Sequence, residues 1–104
     1  MVSIGVTIPS NIIVYNAISP NDDAFNPYFK IENIEIVEPQ NKVSIFNRWG
    51  DKVFEVENYN NTNPTKRFNG KREDGKEMPS GIYFYRIEFV SGKKELTGYL
   101  TLKK

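Results

Sequence analysis

Residues 81–102 read GIYFYRIEFVSGKKELTGYLTL, and apolar side chains recur at every second position in both halves of this stretch. The positions that share one face are Tyr83, Tyr85, Ile87 and Phe89, then Leu96, Gly98, Leu100 and Leu102. The intervening SGKK has the composition of a turn. A period of two in adjacent runs predicts an antiparallel hairpin with one face against a core.

A second hairpin is predicted upstream, where VSIFN at 43–47 and KVFEV at 52–56 flank Arg48-Trp49-Gly50-Asp51. A four-residue connection with one glycine suits a type I turn or a bulged loop. The apolar run Ile12–Tyr15 and the loose alternation over Tyr28–Val37 indicate further strands. We therefore predict an all-β fold, an antiparallel immunoglobulin-like β-sandwich of about seven strands without a helix longer than two turns. Its predicted core comprises Val43, Ile45, Tyr83, Tyr85, Ile87, Leu100 and Leu102.

The segment between the two hairpins, residues 57–80, is polar and irregular. We expect Phe68 within it to insert into the core. A connection of this length is usually functional or contains a short strand of its own.

The composition excludes several classes of protein. The 104 residues include no His and no Cys, so histidine-based catalysis, thiolate nucleophiles, disulfides and thiolate zinc sites are all absent. A net charge of +1 argues against nucleic acid as the main partner, and no apolar run approaches the length of a membrane span. The acidic residues Glu73, Asp74 and Glu77 alternate with basic ones, which is typical of a solvated surface and not of a glycosidase. We expect no cofactor and no enzymatic activity.

Five short motifs occur in a characteristic order: SPNDDAFN at 19–26, IFNRWG at 45–50, FNGK at 68–71, PSGIYFY at 79–85 and GYL at 98–100. In this order they resemble the gliding motility-associated C-terminal domain of Bacteroidetes, the type B C-terminal domain of type IX secretion cargo. The resemblance extends over residues 14–104, and residues 1–13 are interpreted as an N-terminal edge segment or a cloning boundary.

The resemblance implies a sorting signal that carries a larger secreted or surface protein, such as an adhesin, through the outer membrane. It also implies export by way of the periplasm and an outer-membrane partner of the PorP/SprF kind. We expect the domain itself to be monomeric and not to insert into the membrane. The runner-up hypothesis is a carbohydrate-binding or adhesive β-sandwich module.

The first motif departs from the family pattern, which usually reads Ser-Pro-Asn-Gly-Asp-Gly followed by an apolar residue, Asn and Asp. Asp22, Ala24 and Pro27 replace the two glycines and the final Asp. The weak candidates for a calcium ligand are Asp22, Asp23 and Asn26. Loss of the glycines and of one carboxylate favours a turn capped by side chains, without a metal requirement.

The motif positions supply most of the candidate recognition residues: Asn21, Asp23, Trp49, Gly50, Gly70, Gly81 and Gly98. Lys103 and Lys104 are added because the resemblance implies that the last residues matter for export. For Trp49 we expect the indole to lie against the sandwich at a hairpin tip, with an exposed recognition site as the alternative. For Tyr83-Phe84-Tyr85 we favour core aromatics over a sugar-binding platform. Lys103 and Lys104 are either a solvated end or part of the export signal.

Overall fold

The computed structural model describes residues 12–19, 27–72 and 74–103. In chain order its elements are β1 (Ile13–Val14), β2 (Ala17–Ile18), β3 (Ile31–Glu32), α1 (Ile34–Val37), β4 (Asn41–Phe46), β5 (Lys52–Glu57), a 3₁₀ turn (Pro64–Lys66), β6 (Gly81–Phe89) and β7 (Leu96–Leu102). In this part of the chain no helix has the length and apolar character to cross a bilayer.

The strands form a five-stranded sheet in the order β2-β7-β6-β4-β5 and a two-stranded sheet of β1 and β3. The predicted all-β sandwich of about seven strands is confirmed, and both predicted hairpins are present as β4–β5 and β6–β7. One pair differs from the antiparallel prediction, because β2 runs parallel to β7 with Ala17 opposite Thr101. A strand of two residues is too short for its pairing direction to be predicted from periodicity.

The inner faces of β4, β6 and β7 form the centre of the core. Val43 lies opposite Ile87, and Tyr83 lies opposite Leu100. Of the seven predicted core residues, six are buried and Tyr85 is partly buried beneath Phe29, with ring centroids 5.3 Å apart. The period of two therefore assigned the strand faces correctly. Phe68 is fully buried, as predicted.

The segment from Tyr28 to Val37 is not the continuous strand that its alternation predicted. Only Ile31–Glu32 is strand, and Asn33, with a φ of 72°, leads the chain into the single turn of α1. Asparagine adopts this left-handed conformation more readily than other non-glycine residues, so the strand ends there. Ile34 is buried, whereas Ile36 points to solvent.

The long segment between the hairpins is organised around the buried side chain of Tyr59. Its hydroxyl donates a hydrogen bond to the carbonyl oxygen of Phe29 and accepts one from the backbone N–H of Phe68 at 2.9 Å. Nearby, the Asn61 side-chain amide bonds both the N–H and the carbonyl oxygen of Ile31, at 2.9 and 2.7 Å. The first half of the segment is therefore anchored in the core through Tyr59, Asn61 and Phe68.

Tyr59→Phe should destabilise the protein by about 1–3 kcal/mol. The change keeps the ring but leaves the Phe68 N–H and the Phe29 carbonyl without their buried partner. Urea unfolding of both proteins measures the difference. A loss below about 0.5 kcal/mol would show that the hydroxyl contributes little.

Stability should also decrease at alkaline pH. Burial raises the pKa of Tyr59, Tyr83 and Tyr85 above the ordinary value for tyrosine. Above about pH 10 an unfolded tyrosine loses its proton while the buried one retains it, so rising pH favours the unfolded state. Urea unfolding at pH 8 and pH 11 should show this loss, and Tyr59→Phe should reduce it. An equal pH dependence in the variant would contradict the role of Tyr59.

Candidate recognition surface

The loop between β4 and β5, residues 47–51, is held by the side chain of Asn47. Its Oδ1 accepts hydrogen bonds from the backbone N–H groups of Trp49 and Asp51 at 3.0 and 2.9 Å. Gly50 has a φ of +87°, a conformation that favours glycine, and its N–H donates to the Asn47 carbonyl. The NRWG motif is thus a rigid turn with a defined exit direction for the Trp49 side chain.

Trp49 projects into solvent, with 73% of its surface exposed. The expectation that the indole lies against the sandwich is therefore wrong. The guanidinium of Arg48 stacks 4.7 Å from the centroid of the indole ring. An exposed tryptophan held by a cation–π contact is typical of interface anchors.

Four candidate residues lie at one end of the five-stranded sheet: Trp49, Gly50, Gly81 and Lys103. We call this the recognition end. Gly81 begins β6 and pairs with Leu102, which directly precedes Lys103. A depression of about 160 Å³ lies between Trp49 and Gly81. The strand order thus brings the IFNRWG and PSGIYFY motifs close together, although they are far apart in the sequence.

The segment before Gly81 is fixed by Tyr83, whose hydroxyl donates to the Pro79 carbonyl at 2.6 Å. Burial raises the pKa of this hydroxyl above the ordinary value for tyrosine. On the other side of the recognition end, the exposed Lys103 donates its backbone N–H to Ile18 at 2.9 Å. Both contacts order the backbone and leave the Lys103 side chain free to meet a partner.

The remaining candidates do not join this cluster. Gly70 is buried in the long segment, where its carbonyl accepts from the Met78 N–H at 3.0 Å. Gly98 lies in the middle of β7, where an added Cβ would stand 2.6 Å from the Tyr85 hydroxyl oxygen. A contact this close explains structurally why glycine occupies the position. The other candidates fall outside the described residues: Asn21, Asp22, Asp23, Asn26 and Lys104.

The outer face of the sheet carries three aromatic side chains in one cross-strand register, Phe46, Phe84 and Tyr99, which we call the aromatic row. Phe84 and Tyr99 are 45% and 53% exposed. The core assignment of Tyr83-Phe84-Tyr85 therefore holds only for the two tyrosines. The sequence indicates that this surface is exposed, since Ile82 and Phe84 alternate with the inward-facing Tyr83 and Tyr85 along the strand.

Of the acidic residues in the second half of the long segment, Asp74 and Glu77 are described, whereas Glu73 lies outside the described residues. Asp74 and Glu77 are exposed, and Asp74 Oδ1 accepts a turn hydrogen bond from the Lys76 N–H at 3.0 Å. Within 12–19, 27–72 and 74–103, no three His, Cys, Asp or Glu side chains are grouped to hold a metal ion.

Comparison with known families decides the identity of the domain. Residues 12–102 match the model of the CHU_C type IX secretion signal domain, and this range covers both sheets and every residue of the recognition end except Lys103. The chain belongs to this family. A type IX secretion signal domain directs a secreted or cell-surface protein through the type IX machinery, and the resemblance inferred from the five motifs is thereby confirmed.

A solved structure supports the fold of the secretion signal domain. PorZ, described as an essential bacterial surface component of the type IX secretion system of Porphyromonas gingivalis, superposes with a TM-score of 0.59 at 19% identity. The similarity covers 89% of this chain and 11% of PorZ.

Two curated relatives also match, the C5a peptidases of two strains of Streptococcus pyogenes serotype M3, each 32% identical over 101 residues. The matches cover 78% of this chain but only 9% of each peptidase. The likeness therefore concerns a small part of a much longer protein.

Proposed function

We propose that this secretion signal domain acts as a folded, non-enzymatic address recognised by an outer-membrane component of the PorP/SprF kind after its cargo has reached the periplasm. The family match carries the proposal, because it extends over nearly the whole domain and not over a short linear tag. A recognition signal of this kind depends on loops held in place by a rigid frame.

We place the contact with the partner at the recognition end. Trp49 offers a large exposed apolar surface with the Arg48 guanidinium stacked on it, and the exposed Lys103 adds a second positive charge at the same end of the sheet. Exposed tryptophan and arginine are enriched in the residues that dominate binding energy. The partner surface should therefore combine an apolar pocket with acidic side chains.

The side chains support a non-enzymatic role. The sequence lacks His and Cys, and the carboxylates of Asp74 and Glu77 are exposed to solvent. A pair of carboxylates hydrolyses a glycosidic bond only across a bound substrate.

The test is a reporter that carries a Sec signal and is fused at its C-terminus to residues 1–104. In a gliding Bacteroidetes strain with the partner present, the reporter should reach the surface or medium. Trp49→Ala should lower export, whereas Val90→Ala, an equally exposed apolar residue at the opposite end of the sheet, should not. Periplasmic retention of the intact fusion would refute the proposal.

One observation favours carbohydrate binding as a second candidate function. Phe84 and Tyr99 are exposed cross-strand neighbours, and aromatic faces of this kind stack on sugars. Retardation of the domain in a gel containing soluble β-glucan, abolished by Tyr99→Ala, would support this alternative.

A further inference from the structure

The two edges of the five-stranded sheet differ in how strongly their residues oppose pairing with an additional strand. One edge is β5, and the other is formed by β2 and the part of β7 that β2 leaves uncovered. On one side, three of the six residues of β5 are charged, and Lys52 Nζ lies 2.9 Å from a carboxylate oxygen of Glu55. Charged side chains on an edge strand oppose pairing with another chain. On the other side, β7 reads LTGYLTL, with neither a charge nor a proline. The short β2 covers only its last two residues.

Along this side, the backbone of β7 presents hydrogen-bonding groups that pair with no other residue among those the structure describes. The N–H groups of Thr101 and Lys103 point away from β6, since they donate to Asn16 and Ile18. Because the direction alternates along a strand, the N–H and C=O groups of Thr97 and Tyr99 point the same way. Among the described residues no strand pairs with β7 at these positions. We call residues 96–100 the open edge.

The side chains around the open edge suit an uncharged strand. Tyr99 and Leu96 are exposed, and Gly98 contributes no side chain to the inner face. An added strand would therefore meet apolar and small groups on both of its faces. Peptides that bind in this mode obtain affinity from main-chain hydrogen bonds and specificity from alternate side chains.

A second copy of the domain fits this edge poorly. In an antiparallel pair centred on Gly98, Thr101 and Leu102 of one copy would lie opposite Glu95 and Lys94 of the other. Because β2 already pairs with Thr101 and Leu102, it would collide with these residues of the second copy. The open edge therefore accommodates a single free strand of about five residues, and not a matching sheet.

We propose that the open edge binds one extended, uncharged segment of the type IX outer-membrane partner by β-augmentation. This inference rests on the proposed function and adds a backbone-mediated contact to the side-chain contacts of the recognition end. The segment alternates apolar and small residues and pairs with Thr97 and Tyr99.

Two variants of Thr97 test the proposal in the reporter fusion. Thr97→Pro removes an N–H that the sheet itself does not use, and proline is tolerated at such edge positions. Thr97→Lys introduces the charge that the edge lacks. Thr101→Lys is the matched control, because it places the same side chain on the same face of β7 where β2 already pairs. We expect at least a tenfold loss of surface reporter for both Thr97 variants and less than a twofold change for the control.

Thermal unfolding of each purified 104-residue variant separates recognition from folding. Both Thr97 variants should melt within about 5 °C of the unmodified domain, a shift that corresponds to roughly 1 kcal/mol. If one Thr97 variant fails to fold, the export of the other variant still tests the inference. Normal export of a folded Thr97 variant would overturn the inference and leave the proposed function intact, whereas failure of the unmodified fusion would refute the proposed function itself. A dimer that Thr97→Lys dissociates would also overturn the inference, because a second copy would then be the occupant.

Discussion

A reporter fused to the domain without residues 98–104 is expected to remain in the periplasm, while the intact fusion is exported. The deletion removes most of β7, which lies between β2 and β6 in the sheet. It takes Leu100 and Leu102 out of the core and leaves the backbone of β6 without its partner. Cell fractionation measures the outcome, and equal export of the two fusions would contradict it.

The matched control for this deletion is the double variant Lys103→Ala, Lys104→Ala. Exposed substitutions usually change stability by no more than about 0.5 kcal/mol, so the fold should be retained. The backbone N–H of residue 103 can still donate to Ile18 in this variant. An export defect in a normally folded double variant would therefore indicate that the lysine side chains take part in recognition.

Ile87→Ala should destabilise the domain by about 2–5 kcal/mol, as for other large-to-small changes in a packed core. Ile87 is fully buried, and its neighbours across the sheet are Val43 and Leu96. Urea unfolding gives the free energy of unfolding for comparison with the unmodified domain.

Ile82→Ala provides the control for Ile87→Ala on the same strand. Ile82 is half exposed on the outer face, so its truncation should cost less than about 1 kcal/mol. Similar losses for the two variants would mean that the inner and outer faces of β6 are assigned incorrectly.

Strong alternation made the central sheet predictable. The runs that form β6 and β7 each extend over several residues, so a single face assignment places Tyr83, Ile87 and Leu100 in the core. The shorter strands were not predictable in this way. β3 ends after two residues because Asn33 reverses the backbone, and no periodicity signals that conformation.

The recognition end was predictable only in part. The motifs identified Trp49 and Gly81, and the terminal position identified Lys103, but their proximity depends on strand order, which the sequence pattern does not contain. The exposure of Trp49 was also missed, because a side chain at a hairpin tip has no alternating neighbours that indicate its direction.

The pairing of β2 with β7 joins segments from opposite ends of the described chain. Contacts between such distant segments form late in folding, since a long loop must close first. The sheet is therefore completed only when the last strand is available, and a chain truncated before β7 never displays the recognition end in its ordered form. Export that requires the recognition end, as proposed above, would then require that β7 has been synthesised and has paired within the sheet.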